Sequence, residues 1–305
     1  MRKEFKTVID TLSEHIIGKP HQLKLAVTCL LAKGHLLIED LPGMGKTTLS
    51  HALAHVFALS YSRIQFTSDL LPADMLGVNI FDQQSHEFRF HPGPVFNELV
   101  LADEVNRASP KTQSALLEAM EEHQVSVDGT TYSLPSPFFV VATQNPSHQS
   151  GTYPLPESQL DRFLMRISLG YPSWEAEKAM LQQPQGRDKT PLSSCISVES
   201  LLEHQQAVAD LRCSDAVLTY VLNLVNQSRE ESGYPQPLSP RASRALLGAA
   251  KAWAYIHDRD YVIPEDVQAV FAAVAEHRLR GHQQEQFEES TLSQRLLNSV
   301  DPLAA

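Results

Sequence analysis

Five short apolar runs punctuate the first half of the chain: 35–39 (HLLIE), 62–66 (SRIQF), 99–103 (LVLAD), 138–143 (FFVVAT) and 165–169 (MRISL). Each is bounded by turn-forming residues, and apolar runs of this length predict buried strands. Between them the period changes. GKTTLSHALAHVFAL follows the first run and SPKTQSALLEAMEEH the third, with Ser109 and Pro110 of the latter at cap and first-turn positions of a helix. Strand–helix alternation of this kind predicts an α/β domain of three layers around a largely parallel, five-stranded sheet. Two other segments alternate with a period of two. Val78/Ile80 and Phe88/Phe90 flank a polar turn within 77–91, and 123–135 carries an Asp128–Gly129 turn, so both predict hairpins inserted in the core.

Beyond Gly170 the pattern becomes helical. GYPSWEAEKAM starts a helix, LQQPQGRDKTPLSS is a polar Pro- and Gly-containing linker, and four helical stretches follow. The organisation expected is a nucleotide-binding-type core over 1–172, a linker over 173–198, a small all-α lid over 199–281 and a polar tail over 282–305.

Composition narrows the function classes. The 305 residues carry a net charge of −11, which argues against a surface devoted to nucleic-acid phosphates. Cys29, Cys195 and Cys213 lie far apart and form neither a disulfide framework nor a metal-ligand spacing. No apolar run approaches the roughly 20 residues that cross a bilayer, and MRKEFKTVID is unlike a signal peptide, so a reducing cytoplasm is the expected compartment.

Candidate chemistry begins at Glu39–Thr48, EDLPGMGKTT, which lacks only the first glycine of G-x-x-x-x-G-K-[ST]. It leaves an apolar strand and enters an amphipathic helix, the setting in which backbone N–H groups cradle a phosphate. Gly43 and Gly45 supply the conformational freedom, with Pro42 before them and Met44 between them. Asp40, at the strand exit, is tolerable if its φ is negative and its carboxylate points away. Lys46 would reach the β- and γ-phosphates, Thr47 would ligate Mg²⁺, and Thr48 would follow on the first helical turn. A plain strand–helix turn with a surface lysine is the competing reading. Asp103 and Glu104 put two carboxylates at the C-terminal end of a buried strand, where open α/β sheets bind ligands: one for the metal shell, one to polarise a water. Asn145, at the tip of FFVVATQNP, is a turn residue taken alone and a water-positioning group beside the other two. Arg241, in the first turn of SPRASRALL, stands against the helix macrodipole and so suggests a nearby anion; Arg244 lies one turn on. Arg162 sits in the helical stretch LPESQLDRFLMR, and alone would be read as a solvated helix face.

Together EDLPGMGKTT, LVLADEVNRASPKTQSALLEAMEE, ATQNPSHQSGTYPLPESQLDRF and SPRA resemble the AAA+ ATPases, and more narrowly the MoxR family, over nearly the whole chain. In that family the first P-loop glycine is often replaced. The resemblance implies ATP/ADP and Mg²⁺ as ligands, with Ile17 and Gly18 of HIIGKPHQL against the adenine. It further implies Asn145 as sensor 1, Arg241 as sensor 2, Arg162 as an arginine finger, and a sheet order that sets the Asn145 strand between the P-loop and Walker B strands. The function it implies is chaperone-like remodelling by a homo-oligomeric ring, a hexamer, acting with a von Willebrand factor A domain protein on a protein client, and its hairpins would face the pore. A DNA-directed motor and a nucleotide-gated scaffold with little turnover are the alternatives. The acidic balance and a second hairpin lacking Lys and Arg oppose the first, and the full set Lys46, Glu104, Asn145, Arg162 and Arg241 opposes the second.

Overall fold

The structure, a computed structural model, describes residues 1–145, 151–182, 192–280 and 291–302. Helices α1 (Lys3–His15) and α2 (Pro20–Leu31) precede the first strand, β1 (Leu36–Glu39). Then follow α3 (Lys46–Val56), β2 (Tyr61–Gln65), α4 (Pro72–Leu76), the hairpin β3–β4 (Gly77–Asp82, Glu87–Pro92) and β5 (Leu99–Asp103). Helix α5 (Pro110–Glu122), the hairpin β6–β7 (Gln124–Val127, Thr130–Ser133), β8 (Phe139–Gln144), α6 (Glu157–Leu160) and β9 (Met165–Ile167) complete the core. The remaining helices are α7 (Trp174–Gln182), α8 (Val198–Ala209), α9 (Asp215–Glu230), α10 (Pro240–Ile256), α11 (Pro264–Arg280) and α12 (Leu292–Ser299).

The five apolar runs form one sheet in the order β2-β5-β8-β1-β9, every pairing parallel, with β8 between β1 and β5. Residues of β5 and the first five of β8 are buried, as strands covered on both faces must be. One face packs against α1, α2 and α3 and the other against α4 and α5, giving the three layers. Caps set the helix starts. Ser109, Ser197, Ser214 and Ser239 each accept a backbone N–H from the third residue of α5, α8, α9 and α10, and Pro110 and Pro240 occupy the first turn where no N–H is needed.

The two hairpins stand where alternation puts them, and they are joined. Phe90 of β4 stacks on Tyr132 of β7 with centroids 3.9 Å apart, and Asn79 Nδ2 donates to Asp128 at 2.8 Å. Gly77 opens the first at φ +108, where a Cβ would meet the His91 carbonyl at 2.4 Å.

One expectation changes. Arg162 is not inside a helix: α6 ends at Leu160, and Arg162 lies in the turn before β9. The described part of the polar tail forms α12, with Leu296 fully buried and the Ser293 N–H donated to Glu276 at 2.7 Å. Within 173–198 the chain makes α7, the stretch 183–191 lies outside the described residues, and Cys195 and Ile196 return to hydrogen-bond the Val56 carbonyl of α3. Residues 282–290 and 146–150 also lie outside the described residues.

Helices α8 to α12 are not a loose appendage. A single apolar cluster runs from β1, β9 and α1–α3 into α8–α12. Phe5 of α1 packs edge-on against His204 and Tyr255, Gln205 donates to the Leu30 carbonyl at 2.8 Å, and the Arg2 N–H donates to the Ile256 carbonyl at 2.9 Å. Arg278 of α11, 8% exposed, donates to the Asp161 carboxylate at 2.7 Å and to the Phe163 and Leu164 carbonyls at 2.7 and 3.2 Å.

Candidate functional site

The loop 40–45 lies at the C-terminal edge of the sheet, between β1 and α3. Gly43 and Gly45 adopt φ +84 and +87, and Gly45 is the left-handed N-cap of α3. No heavy atom lies within 4 Å of where a Gly43 Cβ would sit, so glycine is required there by backbone conformation rather than space. Pro42 is exposed and Met44 partly so, while Thr47 and Thr48 are half-buried on the first turn of α3. Asp40 keeps an ordinary φ, and its carboxylate points away from the loop. It accepts from Ser168 Oγ at 2.7 Å, the Leu169 N–H at 2.5 Å and the Gly170 N–H at 3.1 Å. A glycine there could anchor nothing.

Lys46, 7% exposed, donates to the Asp40 carbonyl at 2.6 Å and to Asn145 Oδ1 at 3.1 Å. Burial pulls its pKa down, opposed by the carboxylates of Asp40, Asp103, Glu104 and Glu39. Asn145 Nδ2 in turn donates to Glu104 Oε1 at 2.9 Å. The two side chains thus link the loop to the acidic strand end through the tip of the strand between them.

Glu104 takes the left-handed conformation, φ 57 and ψ 49, at the end of β5. Its N–H donates to Thr143 Oγ1 at 2.8 Å, and that hydroxyl donates to Asp103 Oδ1 at 2.6 Å. The second carboxylate oxygen of Glu104 accepts from Gln65 at 3.0 Å and Arg107 at 2.8 Å. Asp103 Oδ2 is paired with Arg63 at 2.6 and 3.1 Å. Thr143, Arg63, Gln65, Arg107 and Asn106, whose Nδ2 donates to the Asn145 carbonyl at 3.2 Å, are neighbours the sequence reading assigned no role. The signal for Arg63 and Gln65 was their period-two alternation with Ile64 and Phe66 on the strand beside β5.

On the other side of the loop, Ile16 comes within 3.9 Å of where a Gly45 Cβ would lie. Ile17 is half-buried beside it. Gly18, at φ +78, backs onto Ala176 of α7, whose Cβ would be 2.9 Å from its own, and Lys19 donates to the Tyr171 carbonyl at 2.6 Å. The turn after α1 therefore bridges the loop and α7.

Arg162 and Arg241 do not join this group. They meet each other at Glu121: Arg162 pairs with one carboxylate oxygen at 2.5 Å, and Arg241 pairs with the other. The anion that the position of Arg241 suggests is thus Glu121; Arg244 is exposed on the same helix. Met165 of β9 is level with Leu36 at the start of β1, and Arg162 precedes β9, so this cluster belongs to the opposite edge of the sheet from the loop. Among the described residues no three His, Cys, Asp or Glu side chains converge as a metal site, and no helix is long and apolar enough to cross a membrane. Hydroxyl and carboxylate oxygens at Thr47 and Asp103 still suit Mg²⁺, which retains water and takes one or two protein oxygens together with substrate phosphates.

Residues 35–165 match the family model described as ATPase family associated with various cellular activities (AAA), and residues 228–299 match that of the AAA lid domain. The chain is 46% identical to the uncharacterized protein YeaC of Bacillus subtilis, over 92% of this chain and 88% of that one. It is 42% identical to the chaperone MoxR1 of Mycobacterium tuberculosis, over 87% and 72%, and 29% identical to the protein MoxR of Paracoccus denitrificans, over 90% and 88%. A crystal structure from Cytophaga hutchinsonii, described as that of a candidate ATPase, superposes with a TM-score of 0.89 at 36% identity, covering 98% of this chain and 95% of the other.

Proposed function

The chain belongs to the MoxR family of AAA+ ATPases, and from that premise we propose that it hydrolyses ATP with Mg²⁺ in a homo-oligomeric ring to remodel or mature a protein client. The observation that carries the site assignment is the hydrogen-bonded line Lys46–Asn145–Glu104, which unites three motifs 99 and 41 residues apart in sequence. That ATPase belongs to a chaperone-like family.

Lys46 and the backbone N–H groups around Gly43 and Gly45 bind the β- and γ-phosphates, and Ile17 and Gly18 flank the adenine. Thr47 and Asp103 would hold Mg²⁺, whose chemistry when bound is to neutralise charge on the phosphate oxygens. Glu104 orients the attacking water and accepts its proton. Asn145 fixes the Glu104 carboxylate from one side while Gln65 and Arg107 hold it from the other, so the base waits in a set orientation. Arg162 and Arg241 stand at the far edge and serve the nucleotide of the neighbouring subunit, which makes turnover depend on the ring. The ring is a hexamer working in the cytoplasm with a von Willebrand factor A domain protein, and its hairpins face the pore. Support for this part is the family membership and the separation of the arginines from their own loop.

Lys46→Ala is expected to abolish ATP binding measured by calorimetry while the chain stays folded. Glu104→Gln is expected to bind ATP and to turn it over at least about 10²-fold more slowly, the lower end of general-base contributions. Retained binding in the first, or retained turnover in the second, overturns the respective role. Arg162→Ala mixed with Lys46→Ala regains activity if the arginine acts across subunits, and specific activity rises with protein concentration.

A further inference from the structure

Two arginines from different parts of the fold share one carboxylate. Arg162 lies in the turn before β9, and Arg241 in the first turn of α10. Glu121 stands in the last turn of α5, about 16 Å along the helix from Pro110 at a rise of about 1.5 Å per residue. Its two oxygens are divided between them, Arg162 Nη1 on Oε2 at 2.5 Å and Arg241 Nη2 on Oε1. Arg162 Nη1 also donates to the Leu117 carbonyl at 2.8 Å, so the core arginine is braced twice on α5.

The lid arginine is aligned from the other end. Ser239 caps α10 and donates its hydroxyl to Asp161 at 3.0 Å, so the start of that helix is fixed by the residue next to Arg162. Arg162 Nε is buried with no partner, and beside it a groove of about 500 Å³ is lined by Gln159, Glu118, Glu121 and Glu122. Glu118 and Glu122 give that groove an acidic wall, so the donors offered to a further anion are the guanidiniums themselves.

We infer that Glu121 is the positioning residue for these arginines: it holds Arg162 of the core and Arg241 of the lid as one two-pronged unit, and yields them to the terminal phosphate of the nucleotide bound by the adjacent subunit. This rests on the reading above that both arginines act across the ring. Without a shared anion the two cations repel: the Ser239–Asp161 hydrogen bond anchors the start of α10, while Glu121 is the acidic side chain on which both guanidiniums meet. Exchanging a carboxylate for a more highly charged phosphate leaves neither guanidinium unpaired at any stage. Glu121 touches no substrate. It sets how the two charges meet one.

The test uses full-length protein at ring-forming concentration. Glu121→Gln is expected to keep the nucleotide affinity of its own loop and the thermal midpoint of the chain, and to lose at least about tenfold in kcat, a part of what an arginine finger supplies. Mixing it with Lys46→Ala restores activity, because the intact loop of the first then faces the intact Glu121–Arg162–Arg241 cluster of the second. In an Arg241→Ala background the same substitution adds little further loss, as coupled residues require. Glu121→Asp recovers part of kcat by keeping the charge, and carries the test if Glu121→Gln does not fold. Wild-type kcat in Glu121→Gln, or failure of rescue where Arg162→Ala is rescued, overturns the inference alone. Failure to rescue Arg162→Ala as well overturns the trans-acting reading beneath it.

Discussion

At the scale of single residues, Asp40 shows how a departure from a motif becomes a structural part. Its backbone keeps the strand exit, its carbonyl accepts from Lys46, and its carboxylate collects Ser168, Leu169 and Gly170 beyond β9. Restoring the motif glycine should therefore harm the protein. Asp40→Gly leaves the N–H of the buried Leu169 without its partner and removes two further hydrogen bonds to a charged acceptor, so stability is expected to fall by about 3 kcal/mol or more. The urea midpoint measures this, and an unchanged or raised midpoint would show the carboxylate to be dispensable. Chemistry with a local signature was legible at this scale. The loop and the pair Asp103–Glu104 announced themselves by type and by strand–turn context, and Asn145, a turn residue taken alone, only beside them. Their companions were not, since Arg63 and Thr143 reach Asp103 only through strand pairing across 40 residues of sequence.

At the scale of elements, apolar runs gave away four strands of the sheet and period-two alternation the fifth, β2, while α2 offers no polar face to mark it: eight of its twelve residues are buried. The end of α6 was misjudged because LDRF continues a helical pattern, yet Asp161 and Arg162 are drawn instead to Arg278 and Glu121, partners more than 40 residues away. The paired hairpins carry a consequence that neither sequence pattern announces alone. The Phe90–Tyr132 stack and the Asn79–Asp128 hydrogen bond make the loops after α4 and α5 into one surface. Phe90→Ala removes an aromatic pair worth about 0.5–1.5 kcal/mol beyond its burial, and should raise amide exchange in 124–133 as well as in 77–92. Exchange that rises only around Phe90 would mean that the hairpins move independently.

At the scale of the whole molecule, the lid was legible as a set of helices but its attachment was not, because a helical pattern says nothing about what its apolar face meets. The structure sets that face against α1 and α2, in an interface with the character of an interior rather than of a contact between separable domains. The consequence is thermodynamic. Core and lid should melt as one cooperative unit, with a single calorimetric transition whose enthalpy equals the van't Hoff value. A chain ended at Gln182 would uncover Phe5 and strip Leu30 and Leu164 of hydrogen bonds supplied by Gln205 and Arg278, so it should show no sharp transition of its own. Two resolved transitions in the full chain, or cooperative melting of residues 1–182, would show instead that the first half holds its fold without the second.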